Sequence, residues 1–165
     1  MEKENLTQTA YFAGGCFWGV EYMMQKEEGV IGVDSGYMGG TLENPTYEQV
    51  CTGTTGHAEV VCVIFSTSKI SYEKLAKLFF EIHDPEQFGG QGPDLGDQYR
   101  SEIFYTNENQ KEIIEKLINI LQQKGYKITT KLSQASAFWK AENYHQNYYQ
   151  NKGTLPYCHA YQKRF

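Results

Sequence analysis

A chain of 165 residues can bury about 70% of the surface that its unfolded form exposes, so one domain with one core is expected. Its formal charge of −5 argues against a nucleic-acid binder. Its longest apolar run, 60–65, is far too short to span a membrane. The polar start, Met1-Glu2-Lys3-Glu4-Asn5, lacks the apolar stretch of a signal peptide, so a cytoplasmic protein is expected.

The elements follow in chain order. Residues 8–13 read as a strand, with Tyr11 and Phe12 as β-prone bulk. Gly14-Gly15-Cys16-Phe17-Trp18-Gly19 comes next, then a helix over 20–26 that stops near Gly29. Residues 30–37 read as a second strand running into the loop at Gly39 and Gly40. Asn44 and Pro45 look like the cap and first position of a short helix that carries Tyr47 and ends near Gly53. A strand over 57–65 places Glu59, Val61 and Val63 on one face and Val60, Cys62 and Ile64 on the other. Ser71 caps a helix over 72–82, with Leu75, Leu78, Phe79 and Ile82 as its apolar stripe. Residues 83–100 form a loop long enough to suggest a functional one. A strand over 101–106 leads to the longest helix, capped by Asn107 with Gln110 placed for a capping-box return bond, and ended by Gly125. A strand over 126–130, a short helix over 141–150 and a tail containing Cys158 complete the chain. Alternating helices and strands predict an α/β (α+β) two-layer sandwich, with helices packed on a mixed sheet. One domain spans 1–165, with a flexible 1–6 and a mobile, irregular tail over 153–165.

Cys16 is the centre of the pattern. It falls at a strand-to-helix turn, where unpaired N–H groups and the helix dipole favour a thiolate by roughly 0.3–2 kcal/mol. Flanking glycines leave the backbone open to a substrate, and Phe17 and Trp18 could wall an apolar slot. The competing reading is a small buried hydrophobe, the commoner fate of a free cysteine. Glu59 is either an edge charge or a desolvated carboxyl whose raised pKa lets it donate a proton near neutrality. Tyr47, Asp94, Tyr99 and Tyr144 could surround a polar oxygen, although any one of thirteen tyrosines also reads as packing. His57, His83, His145 and His159 lack metal-ligand spacing, so no metal site is expected; His145 reads as a site hydrogen-bond partner or a structural histidine. The four cysteines contain no Cys-x-x-Cys pair, which argues against zinc and against a disulfide scaffold. Cys51 and Cys62 read as buried, inert thiols. Cys158 is either a thiol able to move toward a partner sulfur or an incidental tail residue.

Several segments then occur together and in order: Gly-Gly-Cys-Phe-Trp-Gly (14–19), Gly-Tyr-Met-Gly-Gly (36–40), Pro-Thr-Tyr-Glu-Gln-Val-Cys (45–51), Thr-Gly-His-Ala-Glu (55–59), His-Asp-Pro (83–85), Gln-Gly-Pro-Asp-Leu-Gly-Asp-Gln-Tyr-Arg-Ser (91–101) and Ala-Glu-Asn-Tyr-His-Gln-Asn-Tyr (141–148). Over nearly its whole length the chain resembles the A-type peptide methionine sulfoxide reductases. The resemblance implies a ferredoxin-like core and reduction of the S epimer of methionine sulfoxide, free or in oxidised proteins, without metal or organic cofactor. It implies Cys16 as nucleophile, Glu59 as acid, Phe17 and Trp18 as the wall for the substrate methyl, and Tyr47, Asp94 and Tyr99 as the shell around the sulfoxide oxygen. It implies Cys158 as the resolving thiol, forming a disulfide with Cys16 that thioredoxin reduces. No further tail cysteine follows Cys158, which leaves open whether thioredoxin meets that bond directly. Cys62 departs from the polar residue expected at its position. A monomer is expected. Two other classes compete: a binding module for methionine-rich segments without turnover, and a Cys-His hydrolase.

Overall fold

The computed structural model describes residues 7–156 and 159–165. Its sheet grows from β1 (Thr7–Gly14) and β3 (Ala58–Ser66), which pair antiparallel from Thr7–Ser66 to Phe12–Val61. β2 (Val30–Met38) flanks β3, and β6 (Ser101–Tyr105) flanks β1, both antiparallel. With α1 (Phe17–Gln25) and α3 (Tyr72–Ile82) as crossovers, the order β6-β1-β3-β2 is a ferredoxin-like βαββαβ core. β7 (Lys131–Gln134) adds in parallel beyond β6, and β8 (Trp139–Lys140) adds antiparallel beyond β2, so the sheet is mixed. A separate hairpin of β4 (Gly90–Gln91) and β5 (Asp94–Leu95) lies within the 83–100 loop.

Strand periodicity decides the two faces. Val61, Val63 and Phe65 of β3 join Ala10 and Phe12 in the main core. There they meet Val20 and Met24 of α1, Phe79 and Phe80 of α3, and Ile114, Leu117 and Leu121 of α4 (Glu108–Gln123). Phe12 stacks on Phe79 at 5.1 Å between ring centroids. Ala58 and Val60 face the other way, with Ala13, Met38 and Phe104. Glu59 shares the helix-covered face with Val61 and Val63, as its period-two spacing predicts. Ser71 and Asn107 cap α3 and α4 through bonds from Lys74 and Gln110 N–H groups. The Gln110 side chain returns to Thr106 N–H, one residue before the cap.

Several elements differ from the sequence reading. The first helix begins at Phe17, directly after Cys16. The short helix α2 (Tyr47–Cys51) is capped by Thr46, which closes a capping box with Gln49; Asn44 sits outside it at a φ of 50°. Residues 126–130 form no strand, because Lys127 N–H bonds Glu86 and Thr129 N–H bonds the Pro85 carbonyl; the strand starts at Lys131 instead. The expected helix over 141–150 breaks into a 3-10 turn (Asn143–His145) and α5 (Tyr148–Lys152), separated by left-handed Asn147. Its polar side chains have taken backbone partners: the Gln146 amide accepts from Ser35 N–H and donates to Ser35 O, each at 2.9 Å. In the tail, the Gln162 N–H bonds the Glu81 carbonyl and the Arg164 N–H bonds the Glu81 carboxylate.

Glu21 of α1 fastens the 143–152 segment. It is 1% exposed, and both its carboxyl oxygens accept from Asn147 N–H at 3.0 Å. Burial pushes this carboxyl up from 4.5 to about 7, against the lowering effect of the Asn147 and Tyr148 N–H groups. A raised folded-state pKa means that ionisation opposes folding. The stabilising contribution is complete below about pH 4.5 and is lost as pH rises through about 7. Glu21→Gln stays neutral and keeps an acceptor for Asn147. Urea denaturation at pH 5 and pH 8 is expected to show the parent losing on the order of 1–3 kcal/mol more than the variant over that interval.

Candidate active site

β1 leaves β3 after Phe12–Val61 but stays paired to β6 as far as Gly14–Ser101. β3 continues along β2, pairing Tyr37 with Glu59. The strands therefore part where Gly14, Gly15 and Cys16 turn over Glu59. Gly15 has a φ of 97°, a left-handed value that a side chain strains to adopt, and a Cβ there would lie 2.6 Å from Gln91 Cβ. Cys16 is the N-cap of α1 and is 8% exposed.

The free N–H at the start of α1 goes to a carboxyl. Phe17 N–H donates to Glu59 Oε1 at 3.1 Å, and Gln98 Nε2 donates to Glu59 Oε2 at 2.8 Å. Glu59 is 1% exposed. The helix N-terminus thus holds a carboxyl beside Cys16. A carboxyl held this way can carry a proton as well as accept N–H bonds.

Two phenols complete the polar side. Tyr47, from α2, and Tyr99, from a 3-10 turn (Asp97–Tyr99), hydrogen-bond each other. Burial pushes both far above the ordinary phenol range, and the Glu59 charge adds to it. Tyr99 is also raised by Asp94 and Cys16. Cys16, Glu59, Asp94, Tyr47 and Tyr99 therefore share one electrostatic neighbourhood, and both phenols remain donors at neutral pH.

The apolar side is aromatic. The Phe17 ring is buried, 5.7 Å from Tyr37 and 5.1 Å from His145. Trp18 is half-buried and lies flat on Tyr148, with ring centroids 3.6 Å apart. Its indole N–H donates to His145 Nδ1 at 2.9 Å. A neutral His145 therefore carries its proton on Nε2, and burial holds its pKa below the usual histidine range. Tyr144 lies at the exposed rim, 4.1 Å from the His145 ring.

Gln98 and Glu142 were not singled out from sequence. Glu142 Oε1 accepts from Tyr37 hydroxyl at 3.0 Å, and Oε2 accepts from Tyr47 N–H at 2.9 Å, so it fixes the start of α2. Their only signals were adjacency to Tyr99 and membership of the 141–148 segment. Cys51 corrects an expectation: it is exposed, and its Sγ lies 3.6 Å from Gln98 Nε2. Cys62 is buried, and burial pushes its thiol up to about 11. His83 is structural: it bonds the Phe79 carbonyl and Ser101 hydroxyl, and burial lowers it to about 3. His57 bridges Gly40 N–H and the Leu42 carbonyl. Cys158 lies outside the described residues. Among the described residues, no group of three or more His, Cys, Asp or Glu side chains is placed to hold a metal ion.

A thiol, a carboxyl and two phenols beside an aromatic wall can hold an apolar group on the rings. They can also protonate an oxygen while sulfur attacks the atom bearing it. The model of the peptide methionine sulfoxide reductase family matches residues 8–165. A peptide methionine sulfoxide reductase MsrA from Ruthia magnifica subsp. Calyptogena magnifica is 50% identical, over 92% of this chain and 91% of the relative. The reduced form of Mxr1 from Saccharomyces cerevisiae superposes with a TM-score of 0.90 at 32% identity, covering 98% of this chain and 96% of that one. The same yeast protein in complex with Trx2 shares the fold, with a TM-score of 0.67 at 24% identity, covering 98% of this chain and 94% of that one.

The Trp18–His145 bond yields a test. His145→Leu leaves the indole N–H without its acceptor, at a cost of about 1–3 kcal/mol. Urea denaturation followed by tryptophan fluorescence is expected to show that loss, with the native emission shifted. His145→Gln, which restores an acceptor, is expected to recover most of both.

Proposed function

The chain belongs to the peptide methionine sulfoxide reductases, and on that premise we propose that Cys16, Glu59, Tyr47, Tyr99 and Asp94 carry its chemistry. The enzyme reduces the S epimer of methionine sulfoxide to methionine. The observation that supports these roles best is the Glu59 carboxyl held on Phe17 N–H, one residue from the Cys16 thiol.

A sulfoxide sulfur is electrophilic, but its oxygen leaves poorly as an anion. Cys16 sulfur attacks the sulfoxide sulfur while Glu59 delivers a proton to the oxygen. The Tyr47 and Tyr99 hydroxyls donate to that oxygen as charge builds on it. The attack gives a transient sulfur–sulfur adduct that bears the protonated oxygen. Its sulfur–sulfur bond and its substrate sulfur–oxygen bond then break as the hydroxyl passes to the Cys16 sulfur, which leaves methionine, reduced, and Cys16 sulfenic acid, oxidised. Trp18 and the buried Phe17 hold the methyl, and the polar groups hold the oxygen. The other epimer exchanges those two positions. One methyl contact contributes only about 1 kcal/mol, so the mismatch at the oxygen site makes most of the selectivity.

Cys158 then condenses with the sulfenic acid. A disulfide bond forms, the sulfur–oxygen bond breaks, and water leaves with the Cys158 proton. Thiol–disulfide exchange with thioredoxin restores both thiols; the complex of yeast Mxr1 with Trx2 supports that partner. The reducing equivalents thus come from thiols.

Quench-flow of one turnover at pH 7 tests the proton donor. Glu59→Gln is expected to slow sulfenic acid formation by about 100- to 10,000-fold. A rate within a few-fold of the parent removes Glu59 from that role. Tyr99→Phe is expected to slow the same step by about 10- to 1,000-fold, since one donor to the oxygen is lost.

A further inference from the structure

Past α5 the far end of the chain is held by Arg164 and Phe165, which meet Glu81 and Phe80. Among the described residues from 153 onward, His159 alone is buried, at 5% exposure. Its imidazole lies on the turn that presents Cys16. Nε2–H donates to the Gly14 carbonyl at 2.7 Å. A Cβ added at Gly19 would lie 2.1 Å from His159 Nδ1, and one at Gly15 would lie 3.4 Å from Nε2. Gly19 has no positive φ and sits inside α1, where glycine is less favourable than alanine. Its missing side chain is therefore explained by the ring that occupies the space.

We propose that His159 is a positioning residue for the regeneration half of the reaction, its imidazole keyed into the Gly14-Gly15-Gly19 cradle to hold the tail at the Cys16 turn. This rests on reading Cys158 as the resolving thiol. His159 is its covalent neighbour, and consecutive Cα atoms lie about 3.8 Å apart. Anchoring the ring thus restricts the search by the adjacent thiol for the Cys16 sulfenic acid. The restriction raises the effective concentration of one sulfur at the other, a term that falls steeply with small misplacement. The condensation is unchanged: Cys16–SOH and Cys158–SH give the disulfide and water. The ring supplies placement, so its removal slows disulfide formation and leaves the attack on sulfoxide alone.

The test is single-turnover kinetics on the full chain with an S-epimer methyl sulfoxide. Sulfide release is read directly, Cys16 sulfenic acid by dimedone trapping, and the disulfide by peptide mass. His159→Ala is expected to release sulfide at the parent rate, to form the disulfide at least about tenfold more slowly, and to accumulate the dimedone adduct. Turnover with thioredoxin falls in parallel, whereas turnover with dithiothreitol, which reduces the sulfenic acid itself, stays within about twofold of the parent. Gly19→Ala, which expels an intact His159 ring, is expected to reproduce this pattern, and the double variant to be no worse than either single one. Disulfide formation at the parent rate in His159→Ala overturns the inference, as does an equal slowing of sulfide release. Cys158→Ser separates the two readings. If it accumulates sulfenic acid while His159→Ala does not, only the inference fails. If it still forms an intramolecular Cys16 disulfide, the resolving assignment fails.

Discussion

A carboxyl buried under the start of a helix is the constraint on which this site depends. Isolated in the core, Glu59 would be costly, and it is tolerated because each oxygen accepts an N–H. Those donors come from different places: the first residue of α1 and the 3-10 turn after β5. Satisfying one buried group therefore fixes the Cys16 helix, the end of β3 and the 83–100 loop relative to one another. The geometry that the chemistry needs is the same geometry that removes an unpaired polar group from the core.

The second support is the segment after β8. Glu142 bonds Tyr37 and the start of α2, His145 receives the Trp18 indole, and Tyr148 stacks on Trp18. Asn147 is held on Glu21 of the same helix that carries Trp18. The aromatic wall is thus shaped by side chains about a hundred residues downstream of it. A thiol reaction in a slot of this kind relies on such rigidity, because a reacting sulfur displaced by a fraction of its contact distance loses most of the advantage of proximity.

Much of the fold was legible. The period-two pattern of β3 placed Glu59 with Val61 and Val63, because strand sidedness is a property of the backbone alone. Ser71 and Asn107 gave their helices correct starts because a cap bond is made within three residues. The misreadings share a cause. Residues 126–130 surrendered their strand character to the 85–87 loop, and 141–150 broke where Gln146 found Ser35 across the sheet. In both, a distant partner outcompeted the local preference, and no window of sequence contains it.

By itself the sequence determined which candidate groups to consider: a cysteine after paired glycines, a glutamate in an apolar strand, and tyrosines and an aspartate in a short helix and a long loop. Those choices are chemical and survive in one dimension. Only the tertiary structure decided which N–H groups hold Glu59, that Gln98 and Glu142 belong to the site, that Cys51 is exposed, and that the His159 ring fills the space left by Gly19. Burial, hydrogen-bond satisfaction and close packing are relations between residues far apart in the chain, and they have no value until it has folded.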